Sequence, residues 1–184
     1  RWRTVGQGLA EDPYLPLFLA QAWGSVAPHF NFHLARAQYD WEPDWSTAHS
    51  ESIAALQERV LATRQEPVAS IVTIDSASTQ DIDDGFELTR DENGFRLRLA
   101  LACPCLGWEF GSPLDRAVLQ RFSSLYLPEG TSHMLPEALG KDFFSLNEGQ
   151  DRPALLITFD LGNDGTLRAF APELSWVRVT ANLT

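Results

Sequence analysis

Apolar and polar positions change rhythm partway along this chain. Up to about residue 67 the apolar side chains recur at helical spacing. Leu15, Leu19, Ala22 and Trp23 form one such set, with Pro16 confined to a first helical turn. A cleaner stripe of Ile53, Leu56, Val60 and Leu61 follows a Ser50 or Ser52 cap and ends near Arg64. From Val68 onward the alternation is that of strands. Val68–Ile74 is a short apolar run suited to a buried strand. Gly85–Arg90 and Phe95–Ala102 read as a hairpin turning at Glu92-Asn93-Gly94, where Asn-Gly supplies positive φ angles. In its second strand Phe95, Leu97, Leu99 and Leu101 share one face, and Arg96 and Arg98 point the other way as a solvated face.

A further helix is expected after Ser112 as cap and Pro113 as first residue, burying Leu114, Ala117, Val118, Phe122 and Leu125. A second hairpin, Ala154–Asp160 with Thr166–Phe170, turns at Gly162-Asn163-Asp164-Gly165. Ser175–Thr180 reads as one more strand, cut off without a closing element, as in an excerpt of a longer protein. The fold class expected is α/β (α+β). Trp41, Pro43 and Trp45 make an aromatic connector expected to pack as a linker.

With 184 residues, 44% of them hydrophobic, the chain can bury a real core. No apolar run approaches the ~18 residues of a membrane span. The net charge of −11 argues against a free-standing nucleic-acid-binding module, which carries a basic face. Cys103 and Cys105 form a C-x-C pair without the second pair a zinc ribbon needs, and two cysteines without a secretory signal suit a reducing cytosol.

The densest chemistry lies in Thr73-Ile74-Asp75-Ser76-Ala77-Ser78-Thr79-Gln80-Asp81-Ile82-Asp83-Asp84-Gly85. Four carboxylates fall within ten positions, with no Lys or Arg among them. Their mutual repulsion raises some of their pKa values unless a cation sits between them. Hard oxygen donors suit Mg²⁺ or Mn²⁺, and such a site can polarise a phosphate and activate a water. Read as an EF-hand loop, Asp81, Asp83 and Glu92 take ligand positions, but Phe86 stands where the turn needs Gly, and strands flank it. A solvated acidic loop is the competing structural reading.

Thr73 to Asp84 resembles the signature of the ribonuclease II (RNB) family of exoribonucleases. The resemblance continues through Gly111-Ser112-Pro113-Leu114-Asp115-Arg116, Tyr126-Leu127-Pro128 and Met134-Leu135-Pro136-Glu137-Ala138-Leu139. It closes on Ser145-Leu146-Asn147 and Asp151-Arg152-Pro153-Ala154-Leu155. More weakly, the stretch from Glu11 to Pro28 resembles the point where a cold-shock domain of that family meets the catalytic domain. The implied organisation is the tail of an OB-fold over 1–12, a helical connector over 13–67 and the N-terminal part of an RNB catalytic domain over 68–184.

The resemblance implies processive, Mg²⁺-dependent hydrolysis of single-stranded RNA from the 3′ end, releasing nucleoside 5′-monophosphates, by a cytoplasmic monomer without membrane attachment. Asp75, Asp81 and Asp84 would be metal ligands and Asp83 the catalytic aspartate. Tyr126 would stack on an RNA base, against a plain structural reading in which it closes a helix over the core. Two departures stand out. Leu101-Ala102-Cys103-Pro104 replaces a stretch that carries an aspartate in the family, and Gly85 replaces a usual Ala. The Ser-Ala-Ser-Thr insert favours ribonuclease II over ribonuclease R. The alternative from another class is a catalytically dead RNB-type RNA-binding regulator.

Overall fold

The computed structural model describes residues 6–9, 12–39, 41, 44–128 and 130–184. Two compact units divide at Arg1–Pro43 and Asp44–Thr184. In the first, helices α1 (Leu15–Ala22) and α2 (Phe32–Arg36) bury no residue fully; Pro16 sits in the opening turn of α1, as expected. Tyr14 meets Phe32 edge-on at 5.5 Å. The expected OB-fold tail over 1–12 and the connector residue Pro43 lie largely outside the described residues.

The second unit begins with a 3₁₀ turn, Trp45–His49, that runs straight into α3 (Ser50–Leu61). Neither Ser50 nor Ser52 caps α3: His49 takes the cap position without a side-chain hydrogen bond. Ile53, Leu56 and Val60 are buried as the stripe predicts, whereas Leu61 is 48% exposed. They pack with Leu114, Leu139, Phe144 and Trp176, each burial worth about 1.5–3 kcal/mol. Trp45 packs against the same cluster, and the Arg121 guanidinium lies 4.4 Å from its ring centre.

Five strands close into a barrel in the order β1 (Ala69–Ile74), β2 (Asp84–Asp91), β3 (Gly94–Ala102), β6 (Asp151–Gly162), β7 (Leu167–Leu183). Every neighbouring pair is antiparallel except β1 and β7, because a ring with an odd number of strands must hold one parallel seam. The stretch expected as a strand without a closing element is that seam: Val177 to Leu183 pair with Ala69 to Ile74. A short hairpin, β4 (Leu125–Leu127) and β5 (Gly130–Ser132), stands apart.

Side chains fill the small barrel. Ile71, Ala100, Ala154, Leu156, Val177 and Val179 are its interior, and Ile82 and Leu146 plug one end. The buried side chain of β3 is therefore that of Ala100, on the same side as Arg96 and Arg98, and not a leucine of the opposite face. Both arginines are spoken for: Arg96 by Asp160 at 2.8 Å, Arg98 by Glu87 at 2.7 Å. The leucine face looks outward.

The first hairpin turn also differs from its expectation. Asn93 keeps a negative φ, and only Gly94 is positive, at 149°. Asp91 accepts the Asn93 and Gly94 N–H groups at 2.7 and 3.0 Å, an Asx turn. Glycine is required at 94 by proximity, since a Cβ would collide with the Leu161 carbonyl. The second hairpin turns at Gly162 to Gly165 as read.

Helix α4 (Pro113–Arg121) starts as predicted, with the Ser112 hydroxyl accepting the Asp115 N–H at 3.0 Å. It buries Leu114, half-buries Ala117 and Val118, and ends at Phe122, which is left-handed (φ 61°) and 85% exposed. Phe122 thus leaves the expected stripe, and Leu125 belongs to β4. Among the described residues no helix is long and apolar enough to cross a membrane.

Candidate metal and RNA site at the barrel seam

Three of the four aspartates, Asp75, Asp83 and Asp84, are anchored through their own backbone. Asp75 follows β1 and donates its N–H to the Leu183 carbonyl across the seam (3.0 Å). Asp84 opens β2 opposite Leu101, and the Asp83 carbonyl accepts the Ala102 N–H at 2.7 Å. Between Asp81 and Asp83, Ile82 turns inward and is 6% exposed. Its N–H donates to the buried Ser145 hydroxyl at 2.9 Å and its carbonyl accepts the Leu146 N–H at 2.9 Å. With Ile82 held inside, its two neighbours are turned out toward solvent.

The segment 145–147 is itself pinned. Ser145 donates to the Gln80 carbonyl, and Arg152 donates to the Ser145 carbonyl at 3.0 Å. Asn182 on β7 reaches Thr73 and the Leu146 carbonyl with one amide nitrogen, at 2.8 and 2.9 Å. Ser145 and Asn182 form the platform under the aspartates. Ser145-Leu146-Asn147 is visible in the sequence only as a motif; the role of Ser145 emerges from its burial in the fold.

Asp81 and Asp83 line a cavity of about 140 Å³ with Ser124, His133, Glu137 and Lys141. Lys141 pairs with Glu137 at 3.1 Å, so a cation does stand at the rim of the acidic loop. Glu137 stood out in sequence only as part of a motif and Ser124, His133 and Lys141 not at all, because they lie more than forty positions beyond Asp83. The Asp83 carboxyl is pushed above the usual carboxylate range, first by partial loss of water and then by the charges of Asp81, Asp84 and Asp75. The other three aspartates are therefore each within electrostatic reach of Asp83.

Tyr126, on β4, is 68% exposed, and its hydroxyl donates to Asp81 at 3.4 Å, a long bond. The nearby Asp81 charge raises the tyrosine's own pKa. Tyr126 does not close a helix over the core; its ring is free beside the cavity.

Do these residues suit a divalent ion? Their donor chemistry does: carboxylate oxygens, mutually repelling, with a single rim cation. Yet among the described residues no three His, Cys, Asp or Glu side chains converge closely enough to hold a metal ion. The carboxylates share a neighbourhood and are not drawn onto one point. Cys103 and Cys105 remain free thiols, with sulfurs 3.7 Å apart and no third ligand among the described residues; burial first, then Cys105, pushes Cys103 up to about 11.

Residues 64–184 match the RNB domain family model. Exoribonuclease 2 of Edwardsiella piscicida is 35% identical over 163 residues, covering 88% of this chain and 23% of its own. Exoribonuclease 2 of Serratia proteamaculans is 37% identical over 165 residues, covering 87% of this chain and 25% of its own. The chain thus spans about a quarter of the length of these curated relatives.

Two solved structures share the fold. Mycoplasma genitalium RNase R in complex with double-stranded RNA aligns at TM-score 0.61 and 22% identity, covering 94% of this chain and 29% of that one. Dss1 exoribonuclease of Candida glabrata aligns at TM-score 0.72 and 17% identity, covering 98% and 26%. The mixed α/β barrel, the motifs on its seam and the extent of the family match agree: this chain belongs to the RNB domain family of exoribonucleases.

Proposed function

We propose that the intact protein is a processive 3′→5′ exoribonuclease that hydrolyses single-stranded RNA to nucleoside 5′-monophosphates. The observation that carries this reading is the cavity lined by Asp81 and Asp83, with the Tyr126 hydroxyl reaching Asp81 beside it. Asp75, Asp81 and Asp84 would be drawn together to hold Mg²⁺, or Mn²⁺ in its place, and the ion would supply positive charge for the scissile phosphate and lower the pKa of a water. Asp83, whose carboxyl is pushed up by partial loss of water and then by the neighbouring aspartates, is the aspartate required for cleavage. Tyr126 offers an exposed ring on which the 3′-terminal base stacks whatever its sequence. Lys141, held by Glu137, supplies the cation that draws a phosphate toward an otherwise acidic loop. The protein acts on RNA turnover in the cytoplasm as a monomer.

Incubation of the intact protein with 3′- and 5′-labelled single-stranded RNA and Mg²⁺ tests the proposal. Release of labelled monophosphate from the 3′ end first is expected; 5′→3′ polarity, or no cleavage with RNA binding retained, favours the dead regulator. A duplex with a 3′ overhang separates the two enzyme types, stalling being expected for a ribonuclease II. Calorimetric titration with Mn²⁺ should show binding that Asp75→Asn weakens, a readout independent of turnover.

A further inference from the structure

On the sheet, Arg96 meets Asp160 and Arg98 meets Glu87, one guanidinium to one carboxylate. One place breaks that balance. Asp151, at the start of β6, is gripped by two guanidinium groups, Arg64 at 2.8 Å and Arg178 at 2.9 Å. Arg152 beside it spends its donors on the carbonyls of Ser145, Asp142 and Asp151. The three arginines and the single carboxylate line a cavity of about 240 Å³, with Trp176 and Phe143 among its walls. The Asp142 carboxylate also acts on Arg152 electrostatically but does not line the cavity. The lining therefore carries an excess of positive charge in a chain whose net charge is −11.

Donors remain available there. Arg64 and Arg178 each give Asp151 one terminal nitrogen, and their side chains are 58% and 49% exposed. Asp151 holds both forks at the cavity, so little side-chain freedom is lost when a further anion is bound. The geometry points to this cavity as an anion site for a phosphate group, distinct from the aspartate cavity, with Arg64 and Arg178 as its ligands. A planar guanidinium pair matches a tetrahedral phosphate better than it matches a lone chloride. The two cavities share no lining residue. They are nonetheless connected, because the Ser145 that accepts Arg152 is the residue clamping Ile82 between Asp81 and Asp83.

The phosphate has two sources, an RNA backbone upstream of the 3′ end or a free phosphate monoester. The RNA source rests on the function proposed above; the free source does not. Intact protein and its Arg64→Gln/Arg178→Gln variant are compared in Ca²⁺ or chelator, which suppress turnover. For the RNA source, affinity for a labelled single-stranded oligoribonucleotide falls about tenfold, and the slope of log K against log salt shrinks by about 0.7 per lost phosphate contact. For the free source, RNA affinity holds while calorimetric binding of inorganic phosphate disappears. Either result supports the site.

Unchanged binding of both probes overturns it and leaves the arginines as ion-pair scaffold. A variant that fails to fold is replaced by the single variants Arg64→Gln and Arg178→Gln, each of which should weaken binding of the oligoribonucleotide or of inorganic phosphate several-fold; unaltered binding of both probes in both variants overturns the site. Cleavage of saturating RNA in Mg²⁺ is followed in parallel. A wild-type protein that never cleaves defeats the proposed function, and leaves the phosphate titration standing on its own.

Discussion

The Ile82 N–H donates to the hydroxyl of Ser145, sixty-three positions away in sequence, at 2.9 Å, and both groups are buried. Through that bond a short loop carrying like charges keeps one conformation. Ser145→Ala leaves a buried N–H unsatisfied and should cost about 1–3 kcal/mol in urea unfolding. Mn²⁺ affinity should fall with it, since Asp81 and Asp83 flank the freed residue; unaltered Mn²⁺ binding would separate the clamp from the site.

Asp83→Asn should abolish cleavage and leave RNA affinity within a few-fold of wild type, because phosphate contacts elsewhere supply most of the binding. In metal-free buffer at neutral pH the same variant should melt at a higher temperature. The sign follows from the raised pKa: folding disfavours the charged form, so neutralising it stabilises the fold. A lower melting temperature by calorimetry would show that Asp83 makes a compensating bond.

Gly85 lies where a Cβ would come within 2.8 Å of the Ile71 Cδ1 and 3.0 Å of the Val72 carbonyl. Gly85→Ala should destabilise by about 1–3 kcal/mol. Ile71→Val removes the offending methyl, so the double variant should lose less than the sum of the singles. Additive losses in denaturant titrations would place the clash on the backbone instead.

Asp115 and Asp151 are held below the usual carboxylate range. The Gly111 N–H and then the Trp108 indole N–H act on Asp115, and Arg178 and then Arg64 act on Asp151. A lowered folded-state pKa gives stability that is present above the unfolded value, about 4, and is lost as pH falls through the folded one. Melting temperatures of wild type and Asp115→Asn should therefore differ at pH 7 and converge in acid. A constant gap across that range would assign the effect to hydrogen-bond geometry alone.

Tyr126→Ala should weaken single-stranded RNA binding by about 1–3 kcal/mol, and Tyr126→Phe should recover most of it, since stacking needs the ring and not the hydroxyl. Equal losses in both variants, measured by fluorescence anisotropy, would shift the role to the Asp81 contact.

Local chemistry made much of this legible. The serine-proline start of α4, the Ile53/Leu56/Val60 stripe and both hairpins announce themselves through short-range spacing. What stayed hidden depends on closure. Alternation along β3 says that its faces differ, but only the ring of strands decides that Ala100 faces inward. Phe122 follows the helical period and still escapes, because the chain turns left-handed at that residue. The aspartates were visible as a run of charge; Ser145, His133 and Lys141 were not, since their relation to that run exists only in three dimensions.

The parallel seam between β1 and β7 sets an order of events in time. Contacts such as Asn182 with Thr73 span 109 positions, and long-range pairings of this kind form late. A chain emerging from a ribosome displays all four aspartates well before β7 exists to receive the Asp75 N–H. The acidic loop then lacks its anchor, so its carboxylates reach their folded arrangement only after synthesis has passed Leu183.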